Sequence, residues 1–441
     1  MIKGIVEHLK GIIFVILHSM NKIILIALSL FSLGLKAQNK LLAIQMIDSL
    51  TSENFSGRGY VNDGHNKAAN FIADKFDTFG LERFDSDFKQ EFKINVNTFG
   101  GNCDLLVDNK VMFAGVDFLL DASCPSIQGK FDLVWLNPKI VGDSKKMIKF
   151  TSKDLSNSFL IIDKTGVTDA TRLDFMDNMI HNPFQAKGII VVQSRKFTWA
   201  MSDQQRPYPI VYIKKDRISY KNKKLELNIE SKLKNGEITQ NVLGYIKGSE
   251  QPDSFLVISA HYDHLGMLGP DAIFEGANDN ASGTALILDL ARHYSQTENK
   301  PKISILFIAF GAEEIGLLGS NHYVQKPYFP LEKIKLQINT DIMGTGDDGI
   351  MMVNGKTHPD IYDAFKKIND DKEYLSKIGA RGKSYNSDHA PFDYKGVKSV
   401  FIYTIGGSKA YHDVYDTAEN LTLSKYDEVF KLITDFISEY K

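Results

Sequence analysis

A strong excess of charge of either sign is missing from this chain: 52 Lys and Arg stand against 54 Asp and Glu, a formal net charge of −2 over 441 residues. Binding a nucleic-acid backbone needs a clustered excess of basic side chains, and neither the totals nor any long run supplies one, so nucleic acid is set aside as a partner. Prolines number only 12, and no internal repeat or low-complexity tract is present, which excludes collagen-like and wholly disordered classes. No apolar run reaches the ~20 residues a membrane-spanning helix needs, which excludes a polytopic membrane protein. Cysteine is nearly absent. Cys103 and Cys124 could form at most one disulfide, and the sequence leaves open whether they pair or stay as two buried thiols. What is present is 43% hydrophobic and 24% charged residues, the balance of a globular chain long enough for two or three domains.

The first forty residues differ from the rest. Ile23 to Leu35 form a short apolar stretch preceded by Lys22 and followed by Leu35-Lys36-Ala37-Gln38, the charged, apolar, small-residue order of an export signal. Cleavage is expected after Ala37, with residues 1–37 the signal peptide, Met20 an alternative start and an uncleaved anchor the competing reading. The expected compartment is periplasmic or secreted, with no stable membrane insertion after cleavage.

Apolar residues between Asn66 and Phe79 (Ala68, Phe71, Ile72, Phe76, Phe79) recur at helical spacing, and Gly80 follows as a stop. After Gln90 come short alternating or wholly apolar runs, near Trp135 and ending at Asp163, Gln193 and Lys215, which predict strands. From Asn241 onward, runs apolar on both faces (Phe255 to Ala260, Ile303 to Phe310, Lys335 to Asn339, Val397 to Ile405) alternate with helical segments at Ala281 to Tyr294 and Tyr426 to Ile437. That pattern predicts an α/β fold: a mostly parallel or mixed sheet with helices on both faces.

In such a sheet chemistry belongs at the carboxyl ends of the strands. The four runs are followed there by His261-Tyr262-Asp263-His264, by Glu313-Glu314, by Asp341, and by Lys409-Ala410-Tyr411-His412-Asp413; Asp279 stands just before a helix. Each residue alone has an ordinary explanation: Asp279 as a helix cap, His264 and His389 as packing histidines, adjacent glutamates as a solvated loop. Carboxylates converging in a partly buried site repel one another and are tolerated chiefly around a cation. Imidazole with carboxylate suits zinc, and two histidines with three acidic ligands exceed one tetrahedral ion, which points to two metals sharing a carboxylate.

The series His261-x-Asp263, Gly276 to Gly283 (GANDNASG), Phe310 to Leu317 (FGAEEIGL), Asn339 to Gly344 (NTDIMG), Ser387 to Phe392 (SDHAPF) and Tyr411-His412 resembles the co-catalytic di-zinc exopeptidases, the group containing bacterial leucine-type aminopeptidases, glutamate carboxypeptidase and glutaminyl cyclases. The resemblance covers about Asn241 to the C-terminus; Ser56-Gly57-Arg58-Gly59 resembles, more faintly, the start of the same domain. The strand-rich stretch between resembles an inserted protease-associated domain. The implied organisation is a catalytic domain of residues 38–96 and 238–441 with a β-rich insertion over 97–237. The resemblance further implies two Zn²⁺ ions, with His261 and Asp341 on one, Glu314 and His412 on the other, and Asp279 bridging. It makes Glu313 the general base, Tyr411 a donor to the developing oxyanion, and Asp263 the acceptor of the second ring proton of His261. Asp388 is placed near the site, its alternative being a structural turn.

The function implied is an exported zinc aminopeptidase acting on peptides with a free N-terminus. A glutaminyl cyclase or carboxypeptidase on the same scaffold, or an inactive binding protein, are the alternatives. The last would normally show a replaced ligand, and none is missing.

Overall fold

The computed structural model describes residues 38–440, so the expected export signal lies outside the described residues. The chain divides into two units between Gln45 and Met46. Of the first, the described part is the opening of the helix Gln38–Thr51. The second carries both large sheets and the candidate site. No described helix is long and apolar enough to cross a membrane.

One eight-stranded sheet is built from β1 (Lys89–Thr98), β2 (Lys232–Ile246), β3 (Gln251–His261), β4 (Ile303–Phe310), β5 (Ile334–Thr340), β6 (Ile350–Val353), β7 (Ile378–Ala380) and β8 (Ser399–Thr404), in the order β1-β2-β4-β3-β5-β8-β6-β7. The central four, β4-β3-β5-β8, run parallel, while β1 with β2, β2 with β4, and β6 with β8 pair antiparallel. Every residue of β4 is buried, because helices cover both faces of the sheet. On one side Val257, Leu306, Ile308 and Phe310 pack with Tyr323 of the helix Leu318–Gln325 and Phe392 of the helix His389–Tyr394. On the other lies the helix Ser282–Ser295, buried nearly all round because the helix Tyr426–Glu439 closes over it. The latter buries Val429, Phe430, Ile433, Phe436 and Ile437 at helical spacing and keeps Asp427 and Glu428 in its first turn, where they favour the helix dipole.

The second eight-stranded sheet draws all its strands from Cys103–Ile229. It is not purely β: the helices Ser144–Thr151 and Ala170–Asn178 cover one face, through Phe150 and Met176 against Leu160, Ile162 and Ile189. The antiparallel pair β1 and β2 carries the chain out to this sheet and back, so Asn97–Thr98 and Lys232–Glu237, read from sequence as part of the insertion, lie in β1 and β2 of the first sheet. Cys103 and Cys124 are unpaired thiols. In the parallel register, His261 is level with Phe310, Ser259 with Asn339, and Thr340 with Ile402, which brings the strand ends to one edge.

Candidate metal centre

At that edge the five ligand candidates meet. His261, the last residue of β3, places Nε2 3.3 Å from Asp279 Oδ1 and 3.5 Å from Asp341 Oδ1. His412, on the loop after β8, places Nε2 3.1 Å from Asp279 Oδ2 and 3.1 Å from Glu314 Oε2. The two oxygens of Asp279 thus face two different histidines. Glu313 comes to the same place, since one donor atom each from His261, Glu313 and Asp341 lie within 4.8 Å of one another, as do those from His261, Asp279 and Glu314.

The local backbone turns sharply to deliver these side chains. Ala312, Ile342 and His412 hold positive φ angles of 58°, 56° and 51°, a region that costs non-glycine residues energy and that clusters at functional sites. Gly276 (φ 59°) could not be replaced, because a Cβ there would lie 2.1 Å from the Asp279 carbonyl and 2.3 Å from the His264 ring. The Asp279–Asn280 peptide is cis.

Both candidate ligand histidines donate Nδ1–H to a backbone carbonyl, His261 to Asp263 at 3.1 Å and His412 to Trp199 at 2.9 Å. A carbonyl only accepts, so Nδ1 carries the proton and Nε2 is left facing the carboxylates. The sequence reading gave this task on His261 to the Asp263 side chain, but that carboxylate is 3.9 Å away. It accepts instead from the backbone N–H of Glu313 (3.1 Å) and Glu314 (3.3 Å), pinning the turn that carries the glutamate pair.

The electrostatics call for cations. Burial opposes charging His412, yet Glu314 and Asp279 lift it to about 11, and His261 is likewise held well above the usual histidine range against its burial. Glu314 is held down to about 2: burial works against its charge, and His412 and His264 outweigh it. Burial and the neighbouring charges of Asp388, Glu314 and Asp341 push Glu313 well above the ordinary carboxylate range. Asp341 Oδ1 is buried without a hydrogen-bond partner, a donor atom free for a cation. Two imidazoles and three carboxylates, with a shared carboxylate between two histidine-bearing halves, fit a pair of zinc ions.

Residues 241–437 match peptidase family M28. Aminopeptidase YwaD of Bacillus subtilis (strain 168) is 30% identical over 58% of this chain and 57% of its own length. A glutamate carboxypeptidase 2 homolog of Caenorhabditis elegans is 29% identical over 49% of this chain and 30% of its own. The matches thus span less than two thirds of these relatives. A solved structure of a zinc aminopeptidase from Bacillus subtilis has the same fold, with a TM-score of 0.67 at 22% identity over 90% of this chain and 93% of that one.

Around the site stand further residues, of which Asp416, Trp199, Ser259 and Asn339 were given no role from sequence. His264, fully buried, donates Nδ1–H to Glu314 Oε1 at 2.6 Å, leaving Oε2 for His412. Asp416 accepts the N–H groups of Asn278 and Asp279, both at 2.9 Å, and so holds the loop that presents the shared carboxylate. Ser387 donates to Asp341 Oδ2 at 3.1 Å and is itself reached by Asn339, which accepts from Ser259. Arg58, 0% exposed, donates to the carbonyls of Tyr262, Leu50, Glu275 and Gly276 at 2.6–3.1 Å. Arg58 and Trp199 lie outside the matched stretch; Arg58 sits in the Ser56–Gly59 segment that faintly resembled the start of the domain, whereas nothing local to Trp199 announces a role. Tyr411 is 44% exposed and stacks on His412, ring centroids 4.0 Å apart. Asp388 is fully buried with neither oxygen hydrogen-bonded, and burial pushes it up to about 7.

Proposed function

We propose that this chain is a zinc-dependent aminopeptidase that hydrolyses N-terminal residues from peptides at a pair of metal ions. The observation that carries the reading is Asp279, whose two oxygens each face a histidine from a different half of the site. His261 and Asp341 would hold one ion, Glu314 and His412 the other, with Asp279 shared. Zinc, when bound there, polarises the scissile carbonyl and makes water more acidic. Glu313, beside His261 and Asp341 but not needed as a ligand, takes a proton from the attacking water and returns it to the leaving amine. Tyr411, whose ring stacks on His412, would donate its hydroxyl hydrogen to the developing oxyanion. The acidic wall of the site also favours a substrate's free ammonium group.

An aminopeptidase is favoured over a carboxypeptidase by the longer match to a relative of that name. The two are separated by substrate: release of amino acids from peptide amides with a free N-terminus supports the proposal. Release from the C-terminus, or cyclisation of N-terminal Gln without hydrolysis, contradicts it. The segment Cys103–Ile229 is read as a protease-associated-like domain inserted in the peptidase.

Export, with cleavage near Ala37 and a periplasmic or secreted location, belongs to the same proposal and rests on the short apolar stretch Ile23 to Leu35. Mass spectrometry of the protein from its native host should find a chain beginning at Gln38. An intact Met1 or Met20 terminus in a cytosolic fraction would reject it.

A further inference from the structure

We infer that the segment Lys196–Ser202, which belongs to the second sheet's part of the chain, is a strap that positions His412, and that Trp199 is its positioning residue; the inference rests on the two-zinc reading above. His412 differs from the other four ligand candidates in its support. It lies eight residues beyond the end of β8, in a stretch without helix or strand. Among the described residues, the hydrogen bonds from Gly406–Tyr415 to distant parts of the chain run to Lys196 and Trp199. Trp199 is bonded to His412 in both directions: its N–H donates to the His412 carbonyl at 2.9 Å, and its carbonyl accepts Nδ1–H from the ring at 2.9 Å. This pair fixes at once the backbone, the ring plane and the tautomer of the ligand. Next to it, Lys196 Nζ reaches Asp413 Oδ2 at 2.7 Å and the Lys409 carbonyl, closing the strap over the loop.

The strap is itself anchored at both ends. The Trp199 indole N–H donates to the Leu120 carbonyl at 2.9 Å, in a strand of the second sheet, while its ring packs on Phe274 (4.7 Å) and Phe99 (5.9 Å). The Ser202 carbonyl accepts from the Asn97 N–H at 2.8 Å, and Asn97 Nδ2 reaches the carbonyls of Ala122 and Cys124. A displacement of the second sheet against the first would therefore be felt at His412 and not at His261 or Asp341, which ride on β3 and the end of β5.

The test is zinc stoichiometry and stepwise affinity, by chelator competition with zinc alone, on the full mature chain and on Trp199→Ala, Trp199→Phe, Lys196→Met and Lys196→Arg. The wild type should bind two zinc ions. Trp199→Ala, which keeps the backbone N–H and carbonyl but removes the indole that anchors them, and Lys196→Met, which removes the tie to Asp413, should weaken the second ion by up to ~10- to 100-fold, the range for disturbing the support of a ligand, and leave the first nearly unchanged. Trp199→Phe, which keeps the ring packing, and Lys196→Arg, which keeps the charge, should recover most of it. In turnover the loss should fall on kcat more than on KM. Should Trp199→Ala fail to fold, the half-exposed Lys196 still decides the matter. Variants that bind both ions as the wild type does, or that lose both equally, would overturn the strap. A wild type that binds fewer than two would instead overturn the two-zinc reading, and the strap with it.

Discussion

Replacing Arg58 by Met should destabilise the fold and loosen the loop that presents Asp279. The guanidinium is fully buried, and burial lowers it from the usual arginine range to about 10, yet its partners are carbonyls rather than carboxylates. Four lie at 2.6–3.1 Å, and the Asp279 carbonyl is more distant at 3.4 Å. Exchanging a buried ion pair for an apolar side chain is often neutral because both charges leave together. Here the acceptors would remain, each at a cost of about 1–3 kcal/mol if left unpaired. Relief from burying a cation offsets part of that sum, and a net loss of about 2–4 kcal/mol is expected, as for two or so acceptors left without a partner. Arg58→Lys should recover only part, since a single ammonium cannot span carbonyls that surround the planar fork. The assay is urea denaturation of metal-free protein followed by circular dichroism, with zinc retention measured in parallel. A wild-type midpoint and wild-type zinc content for Arg58→Met would show that the carbonyls find other partners and would refute the reasoning.

Glu313→Gln should retain both zinc ions while losing ~10²–10⁴-fold in turnover, because the amide cannot accept the water proton; Glu314→Gln should instead lose metal, and elemental analysis with a kinetic assay separates the two. His264→Ala should free Glu314 Oε1 and lower zinc affinity by ~10- to 100-fold, with His264→Asn, which can still donate, losing less; chelator competition reads both. Stripping zinc should lower the melting temperature, since ions that bind only the folded chain stabilise it by ~2.7 kcal/mol at a hundredfold excess over Kd. Calorimetry with and without chelator checks this, and an unchanged melting temperature would contradict it.

The parts of this structure legible in the sequence are those with a strong local pattern. Ile303–Phe310 reads as a strand buried on both faces and is one, and the helices opening near Ala281 and at Tyr426 begin within a residue of where their apolar spacing starts. The candidate ligands were visible because each follows a readable strand or opens a readable helix. Short flanking elements were not: β6 and β7 are four and three residues long, and the helix Pro359–Lys372 buries only Ile361, Phe365, Ile368 and Asn369. Harder still were residues whose partners lie far along the chain. Arg58 meets the Tyr262 carbonyl 204 positions away, and Trp199 meets His412 across 213. Backbone carbonyls leave no residue-type signature, so such contacts have no periodicity or motif to announce them. Asp263 shows the same limit from the other side: its spacing from His261 suggested a side-chain contact, and folding turned the carboxylate toward the Glu313 and Glu314 amides instead.

The central claim is a pair of zinc ions sharing Asp279, and anomalous diffraction at the zinc edge from crystals of the zinc-loaded protein tests it most directly. Two peaks are predicted, ~3.5–4 Å apart, one against His261 and Asp341 and the other against Glu314 and His412, with a carboxylate oxygen of Asp279 on each. A single peak, or a second peak held by residues other than these, would contradict the account.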